Sequence, residues 1–208
     1  MEKLNRLVSR AVPVMMPNID TDIITPMNRL TATSSGRSIG YYAFEPLRYI
    51  DGDGDTGAPD PDFPLNDPFY AGAQIMICGE NFGCGSSRES APAAIAELGF
   101  RCLVGTGFGD IFFNNCFQQG LLPIVLASVD GLLSECTAGG DFLLDLNAQT
   151  LTSPSGTTLA FEVNALKKEG LLHGLDNLGL MLDRQNQIDA FEARDRQERP
   201  WIYPGPSS

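Results

Sequence analysis

Between Gly79 and Ala91 the chain reads GENFGCGSSRESA, which sets three glycines, a cysteine, two adjacent serines and an arginine side by side. Glycine lets a backbone turn sharply and come close to a ligand. Where such a turn opens a helix, the first backbone amides and the positive helix end converge on one point and attract an anion. Arg88 adds a planar fork that matches a carboxylate. The chemistry these residues suit is the capture of a carboxylate or phosphate. The plain alternative is a tight turn with two helix caps and a surface arginine, and the concentration of donors favours the anion site.

A second polar cluster, NIDTDIITP from Asn18 to Pro26, places carboxylate and amide side chains around Thr21. Such residues bond their own backbone and make a structured turn. Asp22 could also orient a serine or an arginine of the other turn. Cys84 lies beside Arg88 and a helix start, a setting that favours a thiolate, but a nucleophilic cysteine needs a base and the chain has one histidine, His173. A small residue fitting a cramped turn is the simpler account of Cys84. Two other glycine patterns do less well. GTGFGD, 105–110, has Asp110 where a dinucleotide fingerprint needs its third glycine. DGDGDTG, 51–57, alternates aspartates like a calcium loop but carries Thr56 at the turn position and Asp62 in place of the closing glutamate.

The elements that must position these residues follow from hydropathy pattern. Ala73 to Gly79 is a short apolar run, read as a buried strand that delivers the chain into the turn. SAPAAIAEL after the turn is alanine-rich and helical; Pro92 suits a first turn, making Ser90 the expected cap, with Ser86 and Glu89 at capping-box spacing as the other choice. RCLVG and LLPIVL read as further strands, separated by a helix over GDIFFNNCFQQG that stops at Gly120. Strand and helix in alternation imply crossover units and a partly parallel sheet. Beyond Gly139, an alternating pattern broken at LNAQ and SPSG predicts antiparallel hairpins. A last helix is expected over Asp183 to Arg194 with Ile188 and Phe191 facing inward. Residues 31–67 form the least regular stretch, expected to be a flexible insertion with a functional or interface role. The whole, 1–208, reads as one α/β domain.

Bulk properties narrow the functional class. Fourteen basic against twenty-six acidic residues give a net charge of −12, and no basic patch offsets it, so nucleic acid is an unsuitable partner. An anionic substrate would have to be held by a few local cations. No segment has the length and hydropathy of a signal peptide or membrane span, and five cysteines without a CxxC pair suit a reducing compartment, so a cytoplasmic protein is expected. A multi-histidine metal site is excluded by the single histidine.

NIDTDIITP, GENFGCGSSRE, GFGDIFFNNCFQQGLLPI and HGLDNLGLMLDRQNQIDAFEA, in this order and spacing, resemble the small subunits of 3-isopropylmalate dehydratase, in the aconitase superfamily. The resemblance covers nearly the whole chain and fits the longer bacterial form. It implies a swivelling β/β/α domain with a mixed, barrel-like sheet and flanking helices. It implies hydro-lyase chemistry: 2-isopropylmalate and 3-isopropylmalate interconverted by loss and return of water, in leucine biosynthesis. It further implies a large-subunit partner that carries a 4Fe-4S cluster as Lewis acid, with no metal held by this chain.

By the same resemblance Ser86 matches the catalytic base and Asp22 an acidic position of the active site, while Ser87, Arg88, Gly85 and Thr21 are expected to bind the substrate's carboxylate. The chain departs from the family's usual SREHAP by reading SRESAP, with Ser90 at the histidine position. Related hydro-lyases acting on citraconate, 2,3-dimethylmalate, homoaconitate or citrate share the turn. The segment 27–37 is expected to shape the pocket that reads the substrate's side chain. A non-catalytic small-anion module is the alternative from a different class.

Overall fold

The computed structural model describes residues 1–31 and 36–203. The described strands form two four-stranded sheets. β1 (Arg6–Ser9) and β2 (Ala11–Val14) follow one another with Arg10 between them, yet each joins a different sheet. β2, β3 (Ile75–Cys78), β4 (Cys102–Gly105) and β5 (Leu122–Val125) are parallel and neighbours in that order. β1 pairs antiparallel with β6 (Phe142–Asp145), which continues through β7 (Thr150–Thr152) to β8 (Thr158–Ala160). Both strand directions expected from the sequence are therefore present, sorted into separate sheets. The reason is in the connections: helical crossovers return the chain parallel, and short turns return it antiparallel. β2 was not anticipated because Pro13 interrupts it. As an edge strand, paired only with β3 among the described residues, it tolerates a residue with no backbone donor.

The helices are α1 (Thr21–Ile24), α2 (Met27–Thr31), α3 (Glu45–Arg48), α4 (Ser90–Glu97), α5 (Asp110–Gln118), α6 (Asp130–Ala138), α7 (Ala165–His173), α8 (Asn177–Asp183) and α9 (Gln185–Glu198). Among the described residues none is long and apolar enough to cross a membrane. α4 starts at Ser90, with Glu89 at the cap position and no side-chain capping bond. Ser90 is thus the first helical residue rather than the cap, a start that keeps Pro92 in the first turn, where its missing N–H costs nothing. α9 carries Ile188 and Phe191 on one face, but that face borders an open apolar groove shared with Phe117, Leu166 and Met181. Phe191 remains half exposed, not inward as expected.

β3 and β4 are buried along their whole length because both faces of the parallel sheet are covered. Ile75, Ile77, Cys102 and Val104 face a core shared with Phe142, Leu144 and Leu151 of the antiparallel sheet and with Leu132 and Leu171. Met76, Cys78 and Leu103 face the other core, formed with Ala94 and Ile95 of α4 and Phe112 of α5. Residues 39–67, read from the sequence as part of a flexible insertion, supply Ala43, Phe44 and Phe63 to that second core. The glycines and aspartates that suggested a loop are concentrated after Ile50; the buried aromatics lie on either side of them.

Phe82, in the turn after β3, is fully buried. Its ring meets Phe44 at 6.2 Å, Phe108 at 6.4 Å and Phe112 at 5.6 Å between centroids, the last two edge to face. The next residue, Gly83, has φ +72° and lies flat against Phe112, so that a Cβ there would overlap the aromatic ring. Gly83→Ala combines a left-handed backbone penalty of roughly 1–2 kcal/mol with overpacking of roughly 1–3 kcal/mol. Thermal melting of the purified chain is expected to show a loss of about 4–20 °C, at 2–4 °C per kcal/mol. Gly131→Ala, in α6 with open space around it and an ordinary φ, is the control and should leave the melting temperature unchanged or slightly raised.

Candidate active site

Parallel strands end on one side of their sheet, and the loops that leave them gather there. Three such loops meet in this protein. Residues 15–20 leave β2, 79–89 leave β3, and 106–109 leave β4. The first two lie side by side: the Asn18 amide donates to Glu80 O at 2.8 Å, Gly83 to Ile19 O at 2.7 Å and Thr21 to Cys84 O at 2.9 Å. Asp20 and Cys84 form a parallel bridge. On the other side Phe82 bridges to Phe108, and the Gly109 amide donates to Phe82 O at 2.9 Å. Extended pairing has thus been carried beyond the sheet into the loops, and this brings the two sequence clusters together.

Within the joined loops each polar residue has a definite place. Asp20 caps α1, its Oδ1 accepting from the Ile23 amide at 2.8 Å. Thr21 is buried beneath the turn; its hydroxyl donates to Ser86 O at 3.1 Å and lies 3.4 Å from Ser86 Oγ. The Arg88 amide also donates to Ser86 O, at 2.9 Å. Ser86 is therefore fixed through its backbone, while the residue as a whole, with Gly85 and Ser87, is exposed. Gly85, at φ +97°, takes a conformation that a side chain would strain.

Arg88 crosses to the other loop. Its Nη1 donates to Thr25 O at 3.0 Å and pairs with Asp22 Oδ1 at 2.6 Å, and the arginine side chain is only 13% exposed. Of the two partners the sequence left open for Asp22, a serine or an arginine of the glycine-rich turn, it pairs with the arginine. Asp22 itself is more than half exposed, and the side-chain contact it makes to the turn is with Arg88. Thr21 is one step removed, since burial beneath Ser86 suits it to hold the turn rather than to meet a ligand. Gly85, Ser86 and Ser87 make up the accessible surface, with Arg88 largely buried beside them.

Cys84 is half-buried at the bridge, on the side of the sheet where the strands end. His173 is at the end of α7, next to Gly174, whose carbonyl accepts from the Met1 terminus; Arg101, which leads into β4, binds Glu2. His173 therefore lies at the opposite end of the parallel strands, and a Cys84–His173 pair is not formed. The acidic run also has an occupant: Asp53 Oδ1 and Asp55 Oδ2 each accept from Arg29 at 2.9 Å. Among the described residues no three His, Cys, Asp or Glu side chains are placed to hold a metal ion. Four of the five thiols are instead spread over β3, β4, α5 and α6, all in the core. The sequence reading missed Arg29 and Glu45, which lie sixteen residues apart and carry no motif; the ion pair between them exists only once 39–57 folds back.

Comparison with known proteins agrees over most of the chain. A model of the aconitase C-terminal domain family matches residues 1–129, and a model of the C-terminal domain of the 3-isopropylmalate dehydratase small subunit matches 179–204. Proteins named 3-isopropylmalate dehydratase small subunit from a Jannaschia species and from Dinoroseobacter shibae are 46% and 47% identical over 207 residues, covering 97% of this chain and 100% of each relative. A crystal structure of 3-isopropylmalate dehydratase from Methanocaldococcus jannaschii, 24% identical, shares the fold with a TM-score of 0.64 over 90% of this chain and 99% of its own.

The placement of the thiols predicts their reactivity. Burial raises the pKa of Cys78, Cys102 and Cys116 above the usual thiol range and pushes Cys136 up to about 11. Iodoacetamide at pH 8 on the native chain is expected to alkylate Cys84 ahead of the other four, which should react only after denaturant is added. Peptide mass spectrometry distinguishes the sites, and native labelling of Cys102 or Cys116 at the rate of Cys84 would contradict the described burial.

Proposed function

The chain belongs to the 3-isopropylmalate dehydratase small-subunit family, and from that membership we propose that it provides half of a hydro-lyase active site. The reaction is the interconversion of 2-isopropylmalate and 3-isopropylmalate by dehydration and rehydration in leucine biosynthesis. The observation that carries the reading is the pairing of two loops that leaves Ser86 exposed beside an arginine already anchored at Asp22 and Thr25. The whole chain, 1–208, serves as one swivelling domain, and it works in the cytoplasm, where its thiols stay reduced.

The roles follow from position. Ser86 takes and returns the proton on the carbon next to a substrate carboxylate. A serine hydroxyl is a weak base in water, so this requires a closed, dry site in which nearby donors stabilise the alkoxide. Thr21, whose hydroxyl donates to Ser86 O and lies 3.4 Å from Ser86 Oγ, is a positioning residue for the turn. Arg88 presents the edge of its fork not used by Thr25 and Asp22 to the carboxylate, with Ser87 and the Gly85 backbone completing the cradle. Asp22 keeps the guanidinium oriented.

Among the described residues the His, Cys, Asp and Glu side chains are not grouped to hold a 4Fe-4S cluster. In the proposed reading the cluster resides on the large subunit, and the chemistry at the departing hydroxyl belongs to that half of the site. The partner also supplies the closure that Ser86 requires.

Two measurements on the complex reconstituted with a large subunit test the assignment. Ser86→Ala is expected to reduce kcat by about 10²–10⁴-fold, the usual worth of a positioned proton-transfer group, without loss of assembly. Turnover near that of the unchanged protein would remove Ser86 from the mechanism. Arg88→Lys keeps the charge but loses the fork; it is expected to lower kcat/KM for isopropylmalate at least about thirtyfold, or ~2 kcal/mol. The melting temperature of the small subunit alone should change little. Unchanged kinetics would show that Arg88 does not clamp the substrate.

A further inference from the structure

We infer that Glu45 is a positioning residue for the proposed reaction, holding the Thr25 carbonyl on which Arg88 is anchored. The inference rests on the function proposed above. Glu45 is 2% exposed. Arg29 Nε donates to Glu45 Oε1 and Oε2 at 3.0 and 2.9 Å, Arg29 Nη2 adds a contact to Oε1, and the Gly54 amide donates to the same oxygen at 2.6 Å. Arg29 also binds Asp53 and Asp55 and stacks on Tyr42, with its guanidinium carbon 4.3 Å from the ring centroid. A buried carboxylate persists only when paired in this way. The hydrogen bond to Glu45 is the main reason that the Arg29 pKa is raised.

What this pair secures is the backbone on both sides of Thr25. Upstream, the Phe44 amide donates to Ile24 O at 3.0 Å; Phe44 is fully buried, is left-handed at φ 58°, and directly precedes Glu45. A non-glycine residue holds that conformation only where its surroundings impose it. Downstream, Arg29 lies in α2, and its amide donates to Pro26 O at 3.0 Å. One peptide step in the insertion, Phe44–Glu45, therefore holds Ile24 directly and α2 through Arg29, with Thr25 between them.

Thr25 makes one backbone bond of its own, its amide donating to Thr21 O at 2.9 Å. It is fully buried, and its hydroxyl has no hydrogen-bond partner among the described residues. Its carbonyl nonetheless takes Arg88 Nη1 at 3.0 Å. If α2 shifts, that carbonyl shifts, and the fork that Arg88 offers shifts with it. Among the described residues Glu45 makes no hydrogen bond or ion pair with Ser86 or Arg88, so its effect on the reaction passes through the 24–29 backbone, of which the Thr25 carbonyl is the part that meets Arg88.

A double-substitution cycle on the reconstituted complex tests this. Glu45→Gln keeps the shape but removes the charge that holds Arg29. It is expected to lower kcat/KM about tenfold or more in the otherwise unchanged protein and less than threefold when Arg88→Lys is already present, because the anchor it serves has gone. Penalties that simply multiply, or an unchanged kcat/KM, would overturn the inference. If Glu45→Gln fails to fold, Arg29→Lys replaces it in the same cycle with the same criterion. Asp195→Asn, at a nearly buried carboxylate bonded to Arg199 and Tyr203 near the chain end, should lower the melting temperature without changing kcat/KM.

Amide hydrogen exchange on the small subunit alone supplies a readout free of activity. Phe44 and Thr25 amides should exchange at least tenfold faster in Glu45→Gln, with β3 and β4 unchanged. Equal protection in both proteins overturns the inference. Should the unsubstituted complex show no isopropylmalate turnover, the proposed function fails, and the exchange result decides on the brace by itself.

Discussion

Two loops that leave neighbouring parallel strands must continue to run side by side after the sheet has ended. Hydrogen bonds from Asn18, Gly83 and Thr21 across to the facing loop make them do so. Everything at the site depends on this continuation. It lays Thr21 beneath Ser86 and brings Arg88 within reach of Asp22 and Thr25. The requirement on side chains is severe at Gly83, where the backbone presses on Phe112 and has no space for a Cβ. Phe82 is the counterpart beneath, buried where Phe44 from one part of the chain and Phe108 and Phe112 from another converge. Aromatic packing of this kind supplies large buried area with few rotatable bonds, which makes it a rigid floor for a glycine-rich turn.

The acidity of the protein gives the arginines their significance. With a net charge of −12, an anionic substrate is not drawn in by the general field and must be recognised locally. Arg88 and Arg29 are both largely buried and both paired with carboxylates. They divide the work: Arg88 faces the turn, and Arg29 ties the insertion to the backbone on which Arg88 rests. Removing one partner from a buried pair costs about 3–5 kcal/mol, since the other charge is left without compensation. The pairing around Arg29 is thus a strong constraint, although it creates no accessible chemistry of its own.

The turn, its serines and the arginine were legible because their chemistry is encoded in adjacent residues. So were β3, β4, β5 and the hairpins, whose apolar runs and turn residues are local signals. Asp22 was identified as a possible partner for an arginine because its cluster was polar and short. Less was legible where a residue's role is set by what packs against it. Phe191 has the spacing of a core residue and borders an open groove; Thr21 has the composition of a ligand contact and is buried under Ser86. Residues 32–35, within the segment expected to read the substrate's side chain, lie outside the described residues.

Short stretches of neighbouring residues were enough to establish which groups could do chemistry, the alternation of strands and helices from β3 to β5, and the family to which the chain belongs. It took the folded chain to establish that Asp22 pairs with Arg88, that Thr21 supports rather than binds, that His173 is at the far end of the strands from Cys84, and that Arg29 meets Glu45. Those facts join residues separated by 16 to 66 positions or more along the chain. Such contacts arise from the shared burial of two cores and from backbone pairing beyond a sheet's edge, and no local pattern of residue types records them.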